Sequence, residues 1–195
     1  MQKEIIKSLK AVLVFSVILG LVYPVFTTIA AKLIAPYRSN GSILKKGGQV
    51  VGSELIGQGF YEEKYFQGRP SAGGYNASSS GGSNYGPSNS NLLSQVRERV
   101  EQYMTSNECA GNVPPDSVLS SASGLDPHIS IENALIQSKR VAKARNCQLN
   151  EIQELVSQNI MNNFLGIWGE RGVNVLKLNM CMDAALGKSE QHDNK

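Results

Sequence analysis

A chain of 195 residues with a formal net charge of +3 and scattered basic residues lacks the basic patch that nucleic-acid binding needs. Three cysteines (Cys109, Cys147, Cys181) without CxxC spacing, and only two histidines, argue against a zinc site. What the totals leave room for is one membrane segment and roughly 150 further residues, enough for one domain with its own core.

Residues 1–10 read as a short N-terminal tail and 11–34 as a transmembrane helix. The run Ala11–Ala31 has no charged residue and is closed by Lys10 and Lys32. At 1.5 Å of rise per residue, roughly 20 apolar residues cross a hydrocarbon core of about 30 Å. Thr28-Ile29-Ala30 resembles a signal-peptidase site, but the run exceeds the about 7–15 residues of a signal h-region. A buried core helix would carry a polar stripe, and none is visible. Pro24 removes a backbone donor and predicts a kink near Val22 or Tyr23. Thr27 and Thr28 can return hydroxyl hydrogen bonds one turn on, and Ser16 and Gly20 make a small-xxx-small face. Together Ser16, Gly20, Tyr23, Pro24, Thr27 and Thr28 form the candidate surface for packing on other membrane helices. Lys3, Lys7 and Lys10 before the span, against Lys32 and Arg38 after it, lean toward a cytoplasmic N-terminus and an outward-facing remainder.

Residues 35–195 read as an extracytoplasmic domain. Ser42–Lys46 and Gln49–Leu55 are strand-like and separated by Gly47-Gly48, a hairpin turn. A short strand or turn follows near Lys64–Gln67. Residues 69–91, RPSAGGYNASSSGGSNYGPSNSN, have almost nothing apolar to bury and form an irregular surface loop. Such length is functional or flexible, and Tyr75 and Tyr85 are amphipathic anchors for a contact surface. Leu92–Met104 is helical, with Leu92, Leu93, Val96, Val100, Tyr103 and Met104 on one face. Asp116–Ala122 is a second run after Pro114-Pro115. Ser130 caps a helix of about 15 residues, with Ile131, Ala134, Leu135, Val141 and Ala142 inward and Lys139, Arg140 and Lys143 solvated. Asn150, with Gln153 three residues on, caps another. Val173–Leu178 alternates as a strand, Asn179 opens a last helix through Leu186, and Gly187–Lys195 frays. Mixed elements without βαβ alternation give an α+β class.

Catalytic motifs fail on inspection. Gly187-Lys188-Ser189 has Met182 where a phosphate-binding loop needs glycine, and Gly57-Gln58-Gly59 has Glu62 where a dinucleotide fingerprint needs its third. Ser42-Ile43-Leu44-Lys45 matches the S-x-x-K of penicillin-binding proteins, so an anchored cell-envelope enzyme of that serine type is the alternative reading. It lacks the K-T-G triplet, and Ser42 sits on a strand-like run. A Cys109–Cys147 bridge is conceivable outside the membrane, and spacing leaves it open.

The ordered blocks Tyr23-Pro24 with Thr27-Thr28, Asn40-Gly41-Ser42, Gly52–Gln58, Tyr65–Ala72, Ser80–Asn84, Ser121–Asp126, Arg140–Arg145 and Val173–Leu176 with Leu178-Asn179 run nearly end to end. In that order the chain resembles the C subunit of the Kdp potassium-transporting P-type ATPase. It departs in Lys177, where an acidic residue is expected, and in its three cysteines. The resemblance implies a non-catalytic accessory subunit of an ATP-driven potassium uptake complex in the bacterial inner membrane. Its implied partners are a potassium-conducting subunit, a catalytic P-type ATPase subunit and a very small membrane subunit. It also implies a role in raising the catalytic subunit's affinity for ATP. An outward-facing domain lies a bilayer away from ATP, so this role calls for coupling through the complex. If ATP touches the chain directly, the patch is Ser80, Gly81, Gly82, Ser83 and Asn84, whose small residues expose backbone N–H groups. A glycine-serine loop needs no ligand to explain it.

Overall fold

The computed structural model describes residues 2–163, 166 and 168–186. Contacts divide the chain into two units, Met1–Val51 and Gly52–Lys195.

The first unit is led by a single apolar helix, Gln2–Ile34, with none of its most apolar window buried. It runs as α1 (Gln2–Val17), a π-helical turn (Ile18–Val22) and α2 (Tyr23–Ile34). The turn has a local cause. Pro24 cannot donate to the carbonyl four residues back, and the helix widens just ahead of it, with the Tyr23 N–H donating to Ile18 O. The irregularity expected at Val22 or Tyr23 is therefore a π-bulge that ends there. After α3 (Pro36–Ser39), β1 (Ile43–Lys46) and β2 (Gln49–Ser53) pair as a hairpin. Gly47 and Gly48 both have positive φ (59° and 83°), the backbone that a two-residue turn between twisted strands requires.

The second unit is built on a three-stranded antiparallel sheet. β5 (Gly172–Asn174) lies between β3 (His128–Ser130) and β4 (Ile160–Met161), with Ile129 and Ile160 both opposite Val173. α4 (Ser90–Ser106), α5 (Pro115–Val118), α6 (Ile131–Ala144), α7 (Leu149–Gln158) and α8 (Val175–Leu186) complete it. Phe66, Val141, Ile152, Val156, Val173, Leu178 and Met182 are fully buried in one cluster. Each such side chain contributes about 1.5–3 kcal/mol of burial. The class is α+β with one N-terminal apolar span, as the sequence implies.

Several local expectations hold. Ser130 Oγ accepts the Asn133 N–H and starts α6. The α4 face predicted from periodicity turns inward at Leu92, Val96, Val100, Tyr103 and Met104, although Leu93 is exposed. Others need correction. The helix expected from Asp116 to Ala122 is the single turn α5, because Leu119 leaves helical geometry. Near Lys64–Gln67, by contrast, the strand or turn expected there is met, by a turn. Asn150 lies inside α7, whose N-cap is Gln148 without a side-chain bond. The strand expected over Val173–Leu178 stops at Asn174, whose Oδ1 accepts the Lys177 N–H and starts α8 four residues before Asn179. Leu135 is 41% exposed, whereas Arg140, expected in solvent, is buried. Cys109, Cys147 and Cys181 are free thiols, so no Cys109–Cys147 bridge forms. Gly187–Lys195 lies outside the described residues.

Candidate functional site

Within the apolar helix, the two threonine hydroxyls are turned onto the helix's own backbone. Thr27 Oγ1 donates to the carbonyls of Tyr23 (3.0 Å) and Pro24 (3.1 Å), and Thr28 Oγ1 donates to Pro24 O (2.7 Å). These bonds cover the turn beside the proline and leave the helix outwardly apolar, which suits hydrocarbon. Tyr23 is 60% exposed, and Ser16, Gly20 and Pro24 are exposed with it.

In the second unit, the side chains that shape the surface loops are amides and one guanidinium. Asn133, Gln137 and Arg140 recur at four- and three-residue spacing along one stripe of α6, all buried. Gln137 donates to Asn133 Oδ1 (2.8 Å), and Arg140 donates to Gln137 Oε1 (2.9 Å) and Asn107 Oδ1 (3.0 Å). Asp116 closes the far end, accepting from Asn133 Nδ2 and from the Ser130 N–H and Oγ–H. The same stripe grips the strap at residues 63–67: Arg140 donates to the carbonyls of Glu63 and Tyr65, and Gln137 pairs with the Gln67 backbone. Asn179 on α8 does the same for Phe66, accepting its N–H and donating to its carbonyl, both at 2.9 Å. Burial pushes the Arg140 guanidinium down from its ordinary value, and the nearby Glu63 charge offsets this only in part. Its hydrogen bonds here go to carbonyl and amide oxygens.

Beyond the strap, the chain enters the 69–91 loop, which lies against residues 121–124. Ser121 N–H donates to Pro70 O (3.0 Å) and Gly81 N–H to Ser123 O (2.9 Å). Ser80 Oγ adds a bond to Ser123 O (3.1 Å). A Cβ on Gly82 would sit 2.9 Å from Ala122 O, so glycine permits this approach. Within the candidate patch Ser80–Asn84, the Gly81 N–H is thus already engaged. Tyr75 turns inward, its hydroxyl donating to Arg69 O at 2.6 Å, and burial raises its pKa to about 12. Tyr85 stays 39% exposed. The loop is irregular, as expected, yet tied down at several points.

At the loop's root, Arg69 Nη1 pairs with Asp126 Oδ2 at 3.0 Å. Asp126 Oδ1 also accepts the His128 N–H and lies 3.6 Å from His128 Nδ1. Burial opposes ionisation of Asp126, but these hydrogen bonds from His128 and Arg69 outweigh it and pull the carboxyl down to about 2. Lys177, the residue that departs from the expected acid, forms an ion pair with Glu54 at 3.0 Å.

The serine-enzyme alternative finds no geometry. Ser42 immediately precedes β1 with a left-handed backbone (φ 49°), not at a helix start, and Lys45 lies within the strand. Ser42 is buried while Lys45 is exposed. Sequence reasoning missed the Asn133–Gln137–Arg140 stripe and Asn179. The available signal was three polar residues recurring on one face of a helix whose neighbours are apolar.

The known proteins similar to this chain agree with the resemblance. The family model described as K+-transporting ATPase, c chain, matches residues 5–184. A protein of Caldanaerobacter subterraneus named potassium-transporting ATPase KdpC subunit is 47% identical over 193 residues, covering 98% of this chain and all of that protein. Proteins of the same name from Mycobacterium bovis (44% identical, 94% of this chain and 99% of theirs) and Bradyrhizobium diazoefficiens (43%, 96% and 100%) extend the likeness. The chain belongs to the family of the c subunit of potassium-transporting ATPases, held to its membrane by the apolar helix that opens it.

Proposed function

We propose that the chain is a non-catalytic accessory subunit that assembles with and stabilises the potassium-conducting and ATP-hydrolysing subunits, alongside a very small membrane subunit. The N-terminus lies in the cytoplasm and the domain faces outward, over the outer mouth of the potassium-conducting subunit. The observation that supports this is the long apolar helix with no buried residue, whose threonine hydroxyls are spent internally and whose surface awaits lipid or other helices. Influence on ATP affinity then passes through the complex as a coupling between distant sites.

The test is a mild-detergent pull-down of the tagged chain from its own membranes, followed by ATP titration of the complex with and without it. The proposal expects both large subunits in the eluate and a lower apparent ATP requirement when the chain is present. An unchanged ATP curve removes the affinity role. Photoactivatable ATP that labels Ser80–Asn84 replaces coupling by direct contact.

A further inference from the structure

At and just past the end of the apolar helix, residues 32–51 carry Lys32, Arg38, Lys45 and Lys46 and no acidic residue. Lys32, Arg38 and Lys45 form no ion pair among the described residues. The link from α2 to the hairpin is folded on itself and is not a free tether. The Ser39 N–H donates to Ala35 O (2.9 Å), Asn40 Nδ2 to Pro36 O (2.7 Å) and the Ser42 N–H to Tyr37 O (3.1 Å). Tyr37 lies three residues beyond Ile34, the end of α2, so β1 starts no more than about 20 Å from that end. The polar layer of a bilayer adds about 5–8 Å beyond the hydrocarbon, and screened charges act over about 8 Å more. The hairpin is thus held beside phospholipid headgroups, with Arg38 in the link itself.

The two-residue turn at Gly47-Gly48 sets Lys45 opposite Val50, so Ile43, Lys45 and Val50 share one face of the hairpin. All three are exposed, Val50 at 64%. Tyr37 is 48% exposed, and tyrosine is a side chain enriched where membrane meets water. From this combination of charge, exposed apolar side chains and a short link we infer that this face and α3 dock on anionic phospholipid headgroups. The lipid phosphates pair with Arg38 and Lys45, while Ile43, Val50 and Tyr37 enter the boundary between headgroups and acyl chains. The link keeps lipid at high local concentration, so individually weak contacts suffice. The inference rests on the membrane-anchored reading and adds a lipid contact outside the span.

The test puts a bimane fluorophore at position 50 of the full chain, through Val50→Cys with Cys109→Ser, Cys147→Ser and Cys181→Ser. The labelled chain is reconstituted in nanodiscs of phosphatidylcholine, alone or mixed with phosphatidylglycerol, each doped with a lipid carrying a nitroxide at the headgroup. Docking predicts quenching about twofold stronger with phosphatidylglycerol. A control label through Leu135→Cys, at an exposed position on α6, should show no such difference. Arg38→Gln combined with Lys45→Gln should abolish the difference at an unchanged melting temperature, since each such charge is worth about fivefold in the docked-to-free ratio. Equal quenching in both lipids, or a difference that survives the double variant, overturns the inference. As a second measure, p-benzoylphenylalanine replaces Val50 in the chain produced with its partner subunits, and native membranes are irradiated. Phospholipid adducts are expected; adducts only to a larger subunit or to a second copy of this chain overturn the inference. A chain that never enters the nanodiscs sinks the anchored reading first, whereas one that enters and stays unquenched sinks this inference alone.

Discussion

Gln137 and Gln67 exchange two hydrogen bonds: the Gln67 N–H donates to Gln137 Oε1 at 2.8 Å, and Gln137 Nε2 donates to Gln67 O at 3.1 Å. A side-chain amide thus stands in for the neighbouring strand that this stretch of backbone lacks. Asn179 repeats the arrangement at Phe66, so two successive residues of one strap are held by two helices. Replacing Gln137 by Leu leaves the Gln67 N–H and carbonyl without these partners. We expect a loss of about 2–4 kcal/mol in the full-length protein, read as a lower unfolding midpoint in detergent. A midpoint unchanged from the unaltered protein would show that the strap is held by other means.

Arg140 carries its charge in a buried site braced by carbonyl and amide oxygens. Its planar, forked donors reach several acceptors at once, which a lysine ammonium cannot match from the same position. Arg140→Lys should therefore destabilise the protein nearly as much as Arg140→Ala, by about 3 kcal/mol. Thermal unfolding of both variants side by side checks it.

Asp126 supplies a pH dependence whose sign follows from its environment. Its folded pKa, about 2, lies below the ordinary 3.8. Stability from this carboxylate is fully present above about pH 5 and is lost as pH falls through about 4 toward 2. After solvent screening of a partly exposed pair, the contribution is about 1 kcal/mol. Asp126→Asn should flatten the acid limb of the stability curve between pH 5 and pH 2 by about that amount.

The thiols should differ in rate. Cys181 is exposed, whereas burial raises the pKa of Cys147 and keeps less of it as thiolate. A maleimide should modify Cys181 first, and peptide mapping at short times should find Cys147 largely unlabelled.

The legible parts of this chain were those fixed by neighbours in sequence. The apolar span, the Gly47-Gly48 hairpin and the Ser130 cap depend on short-range geometry, and all three are present. The parts that misled depend on distant partners. Arg140 looked solvated because nothing near it in sequence announces the carbonyls of Glu63 and Tyr65. Asn174 ends β5 and starts α8, while its Nδ2 holds Glu54 O, 120 residues away. Alternation over Val173–Leu178 fitted a strand until that cap turned the chain. The loop's tethers are backbone bonds to residues 121–123, which composition cannot report.

The most direct test of an anchored subunit with its domain outside uses Cys181, which is exposed on α8. Spheroplasts making the full chain are treated with a membrane-impermeant maleimide, with Cys181→Ser as the control. The account predicts labelling at Cys181 before lysis, on protein that stays with the membrane fraction through high-salt and carbonate washes. Labelling that appears only after lysis, or chain recovered in the soluble fraction, would contradict it.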